Sequence, residues 1–280
     1  MAAPLPWVVL HVPHDSTLIP DETRDQFPLD RADLQAELIR MTDHRTLELL
    51  GGVGGVVIRA TVSRLVVDVE RFEIDDEEPM AARGMGVVYQ VTSHLEPLRR
   101  PLSPGERQGL IDSYYRPHHT ALEMAVSKAI DEHGHCLIID CHSFPSRPLP
   151  YEFVPAASPR PDICIGTDDF HTSPELAQAF VAAFAADGFA VALDTPFAGA
   201  IVPSGCYKKD RRVSSVMVEV NRSLYLDEQD ATPKPNFADV ASAVQRCCRD
   251  AAARVPIKSV YPPVKVGQKS GRLESAPPLN

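Results

Sequence analysis

The sequence predicts a single α/β layered domain, with helices covering a central sheet. Short β-branched runs alternate with longer stretches of helical periodicity along most of the chain, which is typical of α/β folds. The strand candidates are continuous apolar runs, the pattern of strands buried on both faces. Element follows element at short spacing and without an internal repeat. We therefore predict one catalytic domain over residues 1–255 and a Pro/Lys/Ser-rich surface tail over 256–280.

Seven segments indicate strands because each is short, apolar and rich in β-branched residues. In chain order they are Val8–Val12, Gly55–Ala60, Leu65–Val69, Cys136–Cys141, Asp162–Gly166, Val191–Asp194 and Ser215–Val220.

Four helices are predicted from apolar residues at three- and four-residue steps. The clearest start is Ser103-Pro104-Gly105-Glu106, where serine caps the helix, proline occupies the first turn and glutamate reaches back to the cap. We expect this helix to kink at Pro117 and to end at Gly134. The other three are expected over Arg31–Leu50, from Ser173 to about Gly188, and over Phe237–Val255.

Charge and composition exclude several functional classes. Lys and Arg number 28 against 38 Asp and Glu, a net charge of −10 without a basic run, which argues against nucleic-acid binding. The apolar run Pro6–Val12 is too short to span a bilayer and follows no basic residue. We therefore expect neither a membrane helix nor a secretory signal, and a cytoplasmic protein. The six cysteines lack CxxC spacing, which favours reduced core thiols.

Polar residues that follow buried strands are the candidate functional residues, because ligands of open α/β sheets gather at the carboxyl ends of strands. Val8–Val12 leads to His14, and the strand that begins at Cys136 leads to Asp140 and His142. The two histidines can converge on one zinc ion, which in catalytic sites takes three protein ligands and a water. Asp140 lies on the same side of its strand as His142 and can orient that ring. Each histidine alone can also be a hydrogen-bonded surface residue.

Glu219 is a carboxylate among apolar residues in a strand that we expect to be buried. An unpaired buried charge is costly, so this group must be ion-paired, protonated or catalytic. An ion pair with Arg222 or another arginine is the structural interpretation. The chemical interpretation is a general base that activates a water at the metal.

Arg64 and Arg71 bracket the predicted strand Leu65–Val69. Arginines at both ends of a strand can be plain surface charges. Their forked guanidinium groups also suit a carboxylate, and an acidic protein that binds an acidic small molecule needs local positive charge.

Other candidate residues carry less weight. His118 lies on the apolar stripe of its helix and is expected to be a hydrogen-bonded core histidine, whereas His11 is a spare ligand candidate. Cys141 and His142 form a poor nucleophile and base, because adjacent residues of an extended segment point to opposite sides. No G-x-S-x-G elbow supports a serine hydrolase.

Several segments together resemble the N-formylglutamate amidohydrolase (deformylase) family over about residues 8–230. In order they are Pro13-His14-Asp15-Ser16 with Ile19-Pro20, Thr42-Asp43, Val66-Val67-Asp68-Val69-Glu70-Arg71, Asp140-Cys141-His142-Ser143, Pro196-Phe197-Ala198-Gly199 and Val218-Glu219-Val220-Asn221-Arg222-Ser223-Leu224-Tyr225. The resemblance implies a fold similar to zinc carboxypeptidases and aspartoacylases, a three-layer α/β/α arrangement with a mixed central sheet. It also implies that Gly199 contacts the substrate.

The resemblance implies roles for five further residues. His14 and His142 match the family's metal-ligand histidines, and Glu219 matches its general base. Arg71 matches the arginine that holds the substrate carboxylate. Arg64 matches one that polarises the scissile carbonyl or holds a second carboxylate.

Two positions depart from the related patterns. Carboxypeptidases have a glutamate three residues after the first histidine, where this chain has Thr17, so the third metal ligand comes from elsewhere. We expect Asp43 to supply it, with Asp15 and His44 as alternatives. Glu70 stands where the family usually has asparagine, and its charge beside the substrate clamp should repel a dicarboxylate.

The resulting prediction is a zinc-dependent amidohydrolase that acts on a small anionic N-formyl or N-acyl amino acid, similar to N-formylglutamate, through metal-activated water. His119 matches a Pro-x-His-x-x-Leu pattern of the family and is a candidate supporting residue. The alternatives are a carboxypeptidase-like metallopeptidase and a catalytically silent metal-binding paralogue. No nucleic-acid or membrane partner is expected, and the sequence leaves the oligomeric state and the exact acid open.

Overall fold

A mixed six-stranded sheet forms the centre of the computed structural model, which describes residues 5–254. Its strands are β1 (Val8–Val12), β2 (Val56–Arg59), β3 (Cys136–Phe144), β4 (Ile163–Gly166), β5 (Val191–Leu193) and β6 (Val213–Asn221). Their order across the sheet is β2-β1-β3-β6-β4-β5. Only the β4–β6 pair is antiparallel among these strands. The predicted tail over 256–280 lies outside the described residues.

Six α-helices accompany the sheet. They are α1 (Arg31–Met41), α2 (Thr46–Leu50), α3 (Pro104–Leu110), α4 (Arg116–His133), α5 (Pro174–Ala186) and α6 (Phe237–Arg254). None of the helices within residues 5–254 combines the length and hydropathy needed to cross a bilayer.

Alternating side chains of the strands build a core on each face of the sheet. On one face Leu10 and Ile139 pack in a cluster with residues of α2, α5 and α6. On the other face Val9 and Ile138 pack with Leu122 and neighbouring residues of α4. The sheet therefore has helices on both faces, and the predicted three-layer α/β/α class with a mixed sheet is confirmed.

A second core lies beside the sheet and supports the chain between β2 and α3. Leu34 and Leu38 of α1 pack there with Leu65, Val67 and other buried side chains of that segment. The buried Arg99 reinforces this packing, because its Nη2 donates to the carbonyl oxygens of Leu65 and Val66. This core holds in place a long connection that carries several of the candidate polar residues.

The prediction of a strand over Leu65–Val69 is wrong. The segment forms turns, with the Val66 N–H donating to the Ser63 carbonyl and the Arg71 N–H donating to the Asp68 carbonyl. The side chains of Leu65, Val66 and Val67 are buried in the second core, so their burial required no place in the sheet. Sequence periodicity alone does not separate these two ways of burying an apolar run.

The single helix predicted over Arg31–Leu50 is two helices, and the interruption contains Asp43. The N–H of Asp43 donates to the carbonyl of His14 rather than to a helical carbonyl. Arg45 then adopts a left-handed backbone with φ of 63° before α2 begins. The break therefore joins this connection to the end of β1.

The predicted cap at Ser103 is confirmed, since its hydroxyl accepts from the Glu106 N–H and the Glu106 carboxylate accepts from the Ser103 N–H. The expected kink takes the form of a π-helical turn over Ile111–Tyr115, directly before Pro117 in the first turn of α4. A wider turn accommodates the missing proline N–H.

Candidate metal and substrate site

A cavity of about 1430 Å³ opens beside the carboxyl ends of β1, β3 and β6, and His14, His142 and Glu219 line it. β3 and β6 pair over nine residues, which is longer than the sequence predicts. His142 is thus inside β3 and lies directly opposite Glu219 of β6. Both point to the face that α4 covers, because side chains alternate along strands.

The structure brings His14 and His142 together, with ring centroids 5.1 Å apart and both residues buried. Nε2 of His14 lies 2.8 Å from Asp68 Oδ1, and Nδ1 of His142 lies 3.0 Å from Asp43 Oδ2. Nδ1 of His14 is buried and has no hydrogen-bond partner. A buried ring nitrogen without a partner is suited to donate its lone pair to a cation.

Asp43, the expected third ligand, contacts both histidines. Its Oδ2 lies 3.7 Å from His14 Nδ1 and also accepts from the Ser143 N–H at 3.3 Å. Its Oδ1 accepts from Arg222 Nη2 at 2.8 Å. Burial raises the pKa of Asp43, but the hydrogen bonds of the two histidines and the charge of Arg222 hold it well below its usual range.

Glu70 reaches the same place from the turn after Asp68. Its Oε1 lies 3.0 Å from His142 Nε2, and its Oε2 lies 3.6 Å from His14 Nδ1. One ligand atom from each of His14, Glu70 and His142 falls within 4.8 Å of the others. The sequence marked Glu70 only as a departure near the substrate clamp, so this contact was not predicted.

The two alternative ligands, Asp15 and His44, do not join the histidine pair. Asp15 pairs with Arg59 at 3.1 Å and accepts from the Leu47 N–H at the start of α2. Burial and the charge of Arg222 lower the pKa of His44 to about 4. Within residues 5–254, neither joins a group of potential ligand atoms with His14 and His142.

Asp140 connects His142 to a pair of buried histidines. Its Oδ1 lies 3.1 Å from His142 Nε2 and 2.7 Å from His11 Nδ1. Nε2 of His11 in turn lies 2.8 Å from His118 Nε2, so both ring nitrogens of His11 have partners. His118 is the hydrogen-bonded core histidine that the helix pattern predicts, and Asp140 contacts the ring that it was expected to orient.

Glu219 is buried, and its Oε2 has no hydrogen-bond partner. The structural interpretation required an ion pair with Arg222 or another arginine, but Arg222 binds Asp43 and Ser143, and no arginine within residues 5–254 pairs with Glu219. Burial, with Asp43 and Glu70 nearby, raises the pKa of Glu219 to about 8, although His142 and Arg222 oppose the shift. Such a carboxylate can accept a proton near neutral pH.

Asp68, fully buried, organises the two candidate arginines. Arg64 donates from Nη2 to Asp68 Oδ2 at 2.8 Å and to the Tyr89 hydroxyl at 3.0 Å. Arg71 approaches the same carboxylate only to 3.7 Å, through Nε. Both arginines line the cavity, and the guanidinium of Arg71 makes weaker contacts with Asp68 than that of Arg64 does.

Arg160 is a cavity residue that the sequence did not single out. Its side chain is 2% exposed and pairs with Glu152, and its guanidinium carbon lies 5.4 and 5.5 Å from the ring centroids of Phe144 and Phe197. Nε and Nη1 of Arg160 are buried without hydrogen-bond partners. No short motif marks this arginine, because its cavity position depends on distant aromatic residues.

Three further predicted residues lie near the cavity or behind it. Gly199 lines the cavity with φ of 100° and donates its N–H to the Thr167 carbonyl. His119 Nε2 lies 2.8 Å from the Val69 carbonyl and so supports the connection that carries Glu70. Cys141 packs in the core on the opposite face of the sheet from His142, as alternation along the strand predicts.

Comparisons with known proteins agree with the motifs. The family model described as N-formylglutamate amidohydrolase matches residues 6–226. An N-formylglutamate deformylase of Pseudomonas aeruginosa is 26% identical over 253 residues, which cover 87% of this chain and 90% of that protein.

Two solved structures share the fold. The N-formylglutamate amidohydrolase of Ralstonia eutropha JMP134 aligns with a TM-score of 0.78 at 22% identity and covers 90% of this chain and 94% of its own. A gene product of Agrobacterium tumefaciens aligns with a TM-score of 0.59 at 19% identity, covering 89% and 91%.

Proposed function

Because the chain belongs to the N-formylglutamate amidohydrolase family, we propose that it hydrolyses the amide of an N-formyl or other small N-acyl amino acid, with zinc as cofactor. One observation carries the proposal. The buried pair of His14 and His142, the unpaired Glu219 and the cationic Arg71 all face one cavity. These are the groups that metal-assisted amide hydrolysis requires.

The residues present fit a divalent metal. His14 has an orphaned ring nitrogen, and His142 and two carboxylates, those of Asp43 and Glu70, lie around it. Two imidazoles and a carboxylate are a frequent ligand set of catalytic zinc. A bound zinc ion would supply Lewis-acid polarisation of a carbonyl and lower the pKa of a water.

The chain's own residues account for binding and proton transfer. Arg71 binds the carboxylate of the substrate and thereby orients the acyl group towards the two histidines. Arg64, fixed by Asp68 and Tyr89, is positioned to stabilise charge on the carbonyl oxygen or to hold a second carboxylate. Glu219 takes the proton from the attacking water and returns it to the leaving amine.

The test is hydrolysis of a panel of N-formyl amino acids, N-acetyl amino acids and dipeptides by the zinc-loaded protein. We expect hydrolysis of N-formyl or N-acyl amino acids, and loss of at least about a hundredfold in kcat for Glu219→Gln at unchanged zinc content. Glu73→Gln is the matched control, because Glu73 lines the same cavity but pairs with Arg116. Near-normal turnover by zinc-loaded Glu219→Gln would contradict the mechanism.

The two alternatives give different results in the same panel. A carboxypeptidase-like enzyme would cleave dipeptides and leave N-formyl amino acids intact. A silent paralogue would bind zinc and cleave neither. The unpaired Glu219, with its pKa of about 8, favours a working base over the silent paralogue.

A further inference from the structure

Among the carboxylates that contact the histidine rings in the described part of the chain, Glu70 is the one whose oxygens have no other hydrogen-bond donor. Its oxygens contact ring nitrogens of His142, His14 and His11 at 3.0, 3.6 and 3.6 Å. No backbone N–H and no arginine within residues 5–254 donates to them. A carboxylate that is 18% exposed and surrounded by other acids needs a cation.

The oxygens of Asp43, in contrast, accept hydrogen bonds from donors other than the histidine rings. Arg222 donates to its Oδ1, while the Ser143 N–H and His142 Nδ1 both lie against its Oδ2. Both oxygens are therefore satisfied by the protein, and the residue is almost fully buried. A ligating Oδ2 would have to give up the bond to His142 that holds the ring.

The two histidine rings are held in the same way. Asp68 binds Nε2 of His14, and Asp43 binds Nδ1 of His142. In metal sites a carboxylate commonly holds the non-ligating N–H of a histidine and so directs the other nitrogen to the ion. Here the other nitrogens are Nδ1 of His14 and Nε2 of His142, and both face the Glu70 carboxylate. Nε2 of His142 also lies 3.1 Å from Asp140 Oδ1, but that carboxylate is held by His11 and by the Ile201 N–H.

We infer that Glu70 is the third protein ligand of the metal, together with His14 and His142, and that Asp43 is a positioning residue for His142. This inference rests on the metal site of the proposed function. Tetrahedral zinc ligands at about 2.0–2.2 Å from the ion lie roughly 3.3–3.6 Å apart, close to the spacings of Glu70 from the two rings.

If Glu70 is a metal ligand, the repulsion of a dicarboxylate substrate that its charge predicts no longer follows. As an uncompensated charge, this carboxylate would repel a second acidic group of the substrate. As a ligand, it would be neutralised by the ion, and Arg64 and Arg71, which line the same cavity, would remain available to an acidic group of the substrate. An acidic side chain on the substrate is then compatible with this site.

The experiment measures zinc affinity, which does not depend on turnover. Full-length wild-type protein and four variants are stripped with a chelator, and zinc binding is followed by competition with a chromogenic chelator. The variants are Glu70→Gln, Glu70→Asn, Asp43→Asn and, as a matched control that lines the same cavity, Glu77→Gln. Circular dichroism and thermal unfolding of the metal-free proteins verify that each variant folds.

We expect the zinc dissociation constant to rise at least about 100-fold for both Glu70 variants and about tenfold for Asp43→Asn, the range of an orienting partner. Glu77→Gln should remain within about twofold of wild type. The visible absorption of the cobalt-loaded protein should change with Glu70→Gln and be retained by Glu77→Gln, because d–d bands report the ligand set. Glu70→Asn restores the residue usual in the family, so it also measures how much glutamate at this position contributes to zinc affinity.

Two outcomes would overturn the assignment. If Asp43→Asn weakens zinc binding more than either Glu70 variant, Asp43 is the ligand and the proposed function stands unaltered. If the wild-type protein takes up no zinc, both the assignment and the metal chemistry of the proposed function fail. If zinc binding follows the expected order but no N-acyl amino acid is hydrolysed, Glu70 remains the ligand and only the proposed function fails.

Discussion

Asp68→Asn should destabilise the metal-free protein strongly, because Asp68 is a fully buried carboxylate with several donors around it. Nε2 of His14 and Nη2 of Arg64 each lie 2.8 Å from it, the Glu70 N–H donates at 3.0 Å, and the Tyr89 hydroxyl donates as well. Burial raises the pKa of Asp68, yet Arg64, His14 and Arg71 hold it well below its usual range. The group is therefore charged in the folded protein at neutral pH.

The size of the loss in unfolding free energy follows from the interactions that asparagine cannot make. Its amide keeps one acceptor but presents N–H groups to donors, and it leaves the Arg64 guanidinium, 12% exposed, without its counter-charge. Removing one partner of a buried ion pair costs about 3–5 kcal/mol. For a domain of this size that loss lowers Tm by roughly 6–20 °C.

Thermal and urea unfolding in a chelator provide the assay, with Asp75→Asn as the control. Asp75 pairs with Arg107 at 2.9 Å but is 55% exposed, so its replacement should change the free energy of unfolding by about 0–1 kcal/mol. Combining Asp68→Asn with Arg64→Met should cost less than the sum of the single changes, because neither charge is then left alone. A loss below about 1 kcal/mol for Asp68→Asn, equal to the surface control, would refute this reasoning.

Three further outcomes are expected. His44 has a folded-state pKa of about 4 against an ordinary 6.5, so the stability linked to its neutral form is present above pH 6.5 and is lost as the pH falls towards 4. The free energy of unfolding by urea should therefore depend less on pH between 4 and 6.5 in His44→Gln than in the wild type. An unchanged pH dependence would contradict the assignment. Arg160→Met should raise KM about tenfold or more for N-acyl amino acids with an acidic side chain and leave KM for an N-acyl leucine near wild type. The reason is that the guanidinium nitrogens without a partner are free to donate to an acidic group of the substrate. Equal effects on both substrates would indicate a purely structural role. Cys141→Ala should retain kcat/KM within about threefold, because the thiol packs in the core on the opposite face of the sheet, and a hundredfold loss would revive a cysteine nucleophile.

The sequence predicts well those residues whose environment is set locally. Val8–Val12 is a strand with the expected bounds, and the cap at Ser103 has the expected bonds. His14 and His142 were identified because each follows or ends a buried strand, and parallel neighbours β1 and β3 bring those ends together. For the strand and the cap, a short stretch of chain contains the whole physical reason.

Prediction failed where distant packing decides the outcome. Leu65–Val69 has the composition of a strand, but the residues that bury it belong to α1 and to the segment before α3. Glu70 differs from the family pattern at one position, and a pattern cannot indicate that its carboxylate reaches rings 56 and 72 residues away. Arg160 depends likewise on Phe144 and Phe197.

The electrostatics of the histidine pair follow from the same carboxylates. Burial and Arg64 lower the pKa of His14, but Asp68, Glu70 and Asp43 raise it above its ordinary value. Burial also lowers the pKa of His142, yet Glu70, Asp140 and Asp43 raise it far above that value. A buried ring can retain a proton only where negative charge outweighs desolvation.

Metal ligation requires neutral imidazole, so a metal ion would compete with protons for these ring nitrogens. The carboxylates that raise both pKa values would therefore also favour a divalent cation, whose greater charge compensates them more fully. Part of the negative charge of this acidic protein, −10 in total, is concentrated at this site. Under the proposed function, the acidic residues around His14 and His142 would favour a cation at the histidines, while Arg64 and Arg71, which line the same cavity, would attract an anionic substrate.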